Sequence, residues 1–171
     1  MAPQEMRQLF AFNAWATNRI FDALEKLPAE QVGKDLQSSH KSILNTLVHL
    51  VGAERAWCSR WTGATVEPFL TVADAPNIMV LKETWNKVGF ETAKFLGSLS
   101  EKKLTELFEM KTSKGDVLKL VYWHSMLHVI DHSTYHRGQV VTMMRQLGAV
   151  PPNTGMNTFF RETAKLGSKS N

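Results

Sequence analysis

Along the first part of the chain, apolar residues return at mostly three- and four-residue steps: Met6, Leu9, Phe10, Trp15, Ile20, Phe21 and Leu24, with Pro28 closing the run. That period lays the side chains along one face of a helix and predicts helix A over residues 4–27. After the polar stretch "PAEQVGKDLQSSH", the residues Ile43, Leu47, Leu50, Val51, Trp57 and Trp61 repeat the pattern. They predict helix B, with Ser38 or Ser39 as its cap and Gly63 as its end. The segment "GATVEPFLTVADAPN" is rich in turn formers and longer than a tight helix-helix turn, so it reads as an irregular crossing segment. Helix C follows over residues 78–99, with Leu81, Trp85, Val88, Phe95 and Leu96 as its inner face. "TSKGD" reads as a turn, flanked by "LFEM" and "VLKL" as short extended pieces. Helix D is expected from a cap at Asp116 to about Leu147, where Gly148, Pro151 and Pro152 stop it.

Four long helices with almost no strand predict an all-α fold, a four-helix bundle with a long crossing connection between the second and third helices. At 171 residues the chain suits one domain, expected over residues 1–164, followed by a small polar tail at 165–171. No internal repeat or low-complexity tract interrupts it.

A hydrophobic share of 43% and a charged share of 21% are those of a chain that folds. The net charge of +4 is mild, and its lysines and arginines are scattered, which gives no support for a nucleic-acid partner. No apolar run approaches the ~20 residues that span a bilayer, so no membrane association is expected. A lone cysteine, Cys58, excludes an intrachain disulfide framework, and the start "MAPQEMRQLF" lacks the layout of a signal peptide. A cytoplasmic location is the expectation.

The chemistry gathers in "HVIDHSTYHRGQ", which holds three of the chain's six histidines at four-residue steps. On helix D, His128, His132 and His136 form one slowly drifting stripe, and adjacent members can share an ion. Zinc-class ions take three or four ligands, so a pair needs a further ligand from another helix, and His49 in the apolar stripe of helix B is the best candidate. A lone histidine on an apolar face is more often a hydrogen-bonded core residue; three in register leave many ring nitrogens for one cation to satisfy. "HSTYH" lacks a glutamate after its first histidine, which argues against H-E-x-x-H peptide hydrolysis.

With "FNAWATNRIFDAL", "SILNTLVHLVGAERAW", "HVIDHSTYHRGQVVTMMRQLG" and "PPNTGMNTFFRE", the sequence resembles the DinB or YfiT-like superfamily of metal-dependent bundle proteins over nearly its whole length. The resemblance implies a four-helix bundle, often a homodimer, with a divalent ion held by His49, His132 and His136, and leaves His128 either to support the ligands or to packing. Asp131 stands where an asparagine is expected before the metal histidine, and Leu44 at a position frequently polar in relatives. Neither departure removes a ligand, and the Asp131 side chain should point about 100° away from that of His132.

Zinc or nickel suits such imidazole ligands. Three protein ligands leave an open position for water or a thiol. By resemblance the expected function is a thiol transferase or hydrolase acting on small molecules, with a low-molecular-weight thiol as partner. The alternative is a non-catalytic metal-bound dimerisation or stress-response module. Arg137 and Gln139 are candidates either to hold an anionic substrate group or to bond to a neighbouring helix. Gly138, inside a helix, is expected to admit another backbone closely. Trp15, Trp57, Trp61 and Trp85 read as core residues or pocket rims. Nothing near Cys58 suggests an activated thiol.

Overall fold

A computed structural model describes residues 1–112 and 115–167, with side chains to residue 165. The described residues are mostly helical. Helix α1 spans Pro3–Leu24, with proline at its first turn and the Glu5 carboxylate accepting from the Ala2 N–H at 2.8 Å. The short α2 spans Ala29–Gly33. Helix α3 spans Ile43–Thr62 and α4 spans Ile78–Gly97. A short α5 at Glu101–Thr105 leads to strands β1 at Leu107–Lys111 and β2 at Val117–Val121. Helix α6 spans Tyr122–Gln146 and α7 spans Met156–Gly167.

Two expected helix starts move. The cap of α3 is Ser42, whose Oγ accepts from the Asn45 N–H at 3.1 Å, because Ser38 and Ser39 are taken up in a turn closed by Lys41 N–H donating to Ser38 O at 2.9 Å. Asp116 caps no helix. Residues 117–121 pair antiparallel with 107–111, Leu120 opposite Phe108, so the chain runs as strand to Val121 before it coils. The short apolar run "VLKLV" is claimed as strand by its pairing with residues 107–111. Asp116 instead donates its N–H to Thr112 Oγ1 at 3.1 Å in the hairpin turn, where Ser113 and Lys114 lie outside the described residues. Gly63 and Gly148 end α3 and α6 in left-handed conformation, φ 71° and 75°, as the sequence predicts. The tail expected from Lys165 begins inside α7, and residues 168–171 lie outside the described residues.

Helix α3 packs on α4 and α6, and α1 on α6 and α4. Ile20, Phe21, Leu47, Leu81, Val140 and Met143 belong to one buried apolar cluster; Met6, Phe12, Trp61, Leu104, Met126 and Phe159 belong to a second. Between the two clusters α1, α3 and α6 each bury polar side chains: Asn13, Thr17, Glu54, Ser133 and Arg137. On α6 these alternate with His132 and His136, and on α3 His49 lies five residues before Glu54. Between α3 and α4, residues 64–77 form no helix or strand. Phe69 and Leu70 lie so close to α3 that a Cβ on Gly52 would come within 3.2 Å of Phe69 Cε1 and 3.1 Å of Leu70 Cβ. That glycine therefore seats the connection one turn from His49.

Candidate metal centre

His49 projects from the middle of α3, between the buried Val48 and Leu50. His132 and His136 stand one turn apart on α6. Their Nε2 atoms converge: His132 Nε2 lies 3.0 Å from His49 Nε2 and 3.1 Å from His136 Nε2. A ring nitrogen carries either a proton or one in-plane lone pair, so His132 Nε2 can satisfy one of these neighbours through a hydrogen bond, and not both. A cation at their focus satisfies all three. Ligands at 2.0–2.1 Å in tetrahedral array lie about 3.3 Å apart, close to these separations. The donor set thus fits a divalent ion.

Electrostatics keep the rings in the ligating form. Burial first, and the neighbouring histidines second, lower the pKa of His49 and of His132 to about 4. Burial also lowers that of His136, against the opposing bond to Gln139. All three are neutral at pH 7, with a lone pair to give. His136 Nδ1 donates to Gln139 Oε1 at 2.8 Å, which leaves its Nε2 bare toward the cluster.

A fourth histidine joins them that the sequence pattern does not single out. His40, in the segment between α2 and α3, stacks its ring on His49 at 4.3 Å between centroids and meets His136 edge-on at 5.2 Å. The candidate ligand atoms of His40, His49 and His136 lie within 4.8 Å of one another. Periodicity finds residues on helices, and His40 has no helical register; its one sequence signal is a histidine in the polar lead-in to α3.

The remaining candidates separate. His128 is exposed, its ring edge-on to Trp57 at 5.5 Å and 5.9 Å from the His132 ring, outside the Nε2 cluster. Asp131 is exposed, as its place on α6 predicts. Arg137 is turned into the interior, so of the two roles open to it the bond to a neighbouring helix is the one found: Nη1 donates to Asn13 Oδ1 and, at 3.2 Å, to Thr17 Oγ1 on α1. Its Nη2 donates to Thr134 Oγ1 at 2.8 Å. Gln139 braces His136 and donates to Ser39 Oγ at 3.0 Å. The close backbone expected at Gly138 is absent: a Cβ there would meet nothing within 4 Å, because the residue faces outward. Trp61 and Trp85 are buried, and Trp15 and Trp57 are half-buried. Cys58 is buried, and burial raises its pKa.

Beneath the histidines, Asn13 Nδ2 donates to Glu54 Oε1 while Asn13 Oδ1 accepts from Arg137, so one carboxamide links a buried carboxyl to a buried guanidinium. Burial raises the Glu54 pKa to about 7, against the lowering effects of Asn13, Arg137 and Ser133. A hollow of about 230 Å³ opens beside the histidines, lined by His40, His49, Asn45, Val48, Phe69 and Thr71. Phe69 lies over His49, 5.8 Å between ring centroids.

The family model for the DinB family matches residues 1–166. The chain is similar to Protein DinB of Bacillus subtilis (strain 168), 26% identical over 167 residues that cover 92% of this chain and 96% of that protein. In three dimensions it is similar to a DinB-like protein from Bacillus cereus, with a TM-score of 0.69 and 18% identity over 88% of this chain and 95% of that one. That likeness supports the fold.

Proposed function

Because this chain belongs to the DinB family, we propose that it is a divalent-metal-dependent thiol transferase or hydrolase acting on small molecules, its ion held by His49, His132 and His136. The observation that carries the reading is the meeting of three neutral Nε2 atoms at 3.0 and 3.1 Å. Zinc or nickel suits an all-imidazole set. When bound, such an ion supplies Lewis acidity that brings the ionisation of a water or thiol toward neutral pH.

The chain's own residues prepare that chemistry. Gln139 fixes the tautomer and tilt of His136. Val48, Phe69 and Leu70 give the adjoining open hollow an apolar wall, and its volume of about 230 Å³ suits a small substrate. Cys58 lines a different hollow, with Trp61 and Lys87, and its buried thiol is poorly ionised. The nucleophile therefore arrives with solvent or substrate, a low-molecular-weight thiol being the partner of choice.

The same proposal includes a four-helix bundle of α1, α3, α4 and α6, with residues 64–77 as its crossing connection, and a two-fold homodimer in the cytoplasm. The rings of α1 and α3 are buried or half-buried. Exposed apolar surface on α4 at Met79 and Phe90 is therefore the contact proposed for the dimer.

The closeness of His40 to the cluster favours a second reading, a non-catalytic metal-bound dimerisation or stress-response module in which the ion only joins α3 to α6. Assays of metal-loaded protein with a panel of cellular thiols and model electrophiles separate the two. Turnover that vanishes with chelator, returns with metal and is absent in His136→Ala supports the enzyme. Equal turnover by both proteins, or none by either, supports the module.

A further inference from the structure

Four imidazole rings crowd the surface between α3 and α6, and the fourth is presented by an unusual piece of backbone. His40 is the third residue of a β-turn closed by Lys41 N–H donating to Ser38 O at 2.9 Å. The chain then tightens again: Ser42 N–H donates to His40 O at 2.8 Å around Lys41, whose φ is 68°. A lysine seldom adopts that conformation unaided, so the surroundings impose it. Leu36 N–H donates to Lys41 O at 2.7 Å, and Gln139 Nε2 donates to Ser39 Oγ at 3.0 Å. Through its other atom Gln139 accepts from His136. One carboxamide therefore braces both a ring of the cluster and the turn that presents His40.

His40 rests stacked on His49, the ring planes 22° apart. Near-parallel rings direct their in-plane lone pairs side by side, so the stacked position is distinct from a ligating one. The distance between the two is small. Nitrogens on a zinc-class ion sit about 3.3 Å apart, and those of His40, His49 and His136 already lie within 4.8 Å of one another. Closing a separation of 4.8 Å to about 3.3 Å is a shift of about 1.5 Å, and a rotation out of the stack must accompany it to turn the His40 lone pair toward the ion.

Resting on the metal-site reading above, we propose that His40 is a fourth, displaceable imidazole ligand. It completes the coordination of an ion held by His49, His132 and His136 when no substrate is present. It returns to its stack on His49 when a sulfur or oxygen of the substrate takes its place. In the exchange the bond from His40 to the ion breaks as the bond from the sulfur or oxygen forms; a thiol or water that ionises on binding gives its proton to solvent, and no co-reactant is needed. The turn at residues 38–42 thereby governs entry to the site.

Cobalt(II) titration tests this, because the electronic spectrum of bound cobalt distinguishes four-coordinate from more highly coordinated sites. Wild-type protein without substrate should show the intense four-coordinate bands. His40→Ala should bind cobalt about tenfold or more weakly, with bands weakened as solvent enters, and free imidazole should restore the wild-type spectrum. His40→Gln, which keeps a polar side chain in the turn, should show the same change and guards against a folding defect in the alanine variant. Wild-type affinity and spectrum in both variants would overturn the role of His40 and leave the three-histidine site standing. Failure of the wild-type protein to take up cobalt would overturn the metal-site reading itself, and His40 with it.

Discussion

The Nε2 atoms of His49 and His132 stand 3.0 Å apart across the interface between α3 and α6. With both pKa values near 4, neither ring is protonated at neutral pH, so no charge-assisted bond holds them together. An ion at that point would tie two core helices and so stabilise the native state. Zinc at a hundredfold excess over its Kd should add about 2.7 kcal/mol, a rise of roughly 5–10 °C in Tm for a domain of this size. Thermal unfolding followed by circular dichroism, with zinc and then with chelator, measures it. An unchanged Tm in wild type, or an equal rise in His132→Ala, would contradict the account.

Arg137 is a structural residue of the interior. It forks between Asn13 and Thr17 on one nitrogen and Thr134 on the other, with its guanidinium over the Phe12 ring at 5.4 Å. Arg137→Met should cost about 3–5 kcal/mol, since it leaves buried polar partners unanswered. Arg137→Lys should recover little, because an ammonium lacks the planar fork. Urea unfolding measures both; a loss below about 1 kcal/mol for the methionine variant would contradict this placement.

Glu54 makes stability depend on pH. Its native pKa of about 7 lies above the ordinary value of 4.5. Below pH 4.5 both states hold the proton, and Glu54 contributes no pH dependence. Between about 4.5 and 7 the unfolded chain ionises first, so stability falls as pH rises; above 7 the loss is constant. Glu54→Gln should remove that decline, on the order of 3 kcal/mol across the window. Urea midpoints of both proteins from pH 4 to 8 test it, and parallel curves would contradict it.

The first three long helices are legible because Met6 and Phe10, Ile20 and Leu24, Leu47 and Leu50, and Leu81, Trp85 and Val88 return at three- and four-residue steps on faces that are buried. The extended pieces "LFEM" and "VLKL" are legible and form β1 and β2, whereas a helix start at Asp116 overlaps the second of them and gives way to the pairing with β1. Helical register and resemblance single out His49, His132 and His136, and the structure brings their Nε2 atoms together. His40 was missed because its position depends on a turn and on Gln139. The Asn13, Glu54 and Arg137 linkage was missed for a different reason. Each residue alone resembles a surface residue, yet Asn13 and Thr17 fall at the helical interval between Phe10 and Ile20, on the face the core covers.

The central claim is that His49, His132 and His136 hold one divalent ion. Elemental analysis of untagged, purified protein tests it most directly, with four single variants beside the wild type. The account predicts about one zinc or nickel per chain in wild type and in His128→Ala, and near-complete loss in His49→Ala, His132→Ala and His136→Ala. A metal-free wild type, or loss of metal in His128→Ala with retention in His49→Ala, would contradict it.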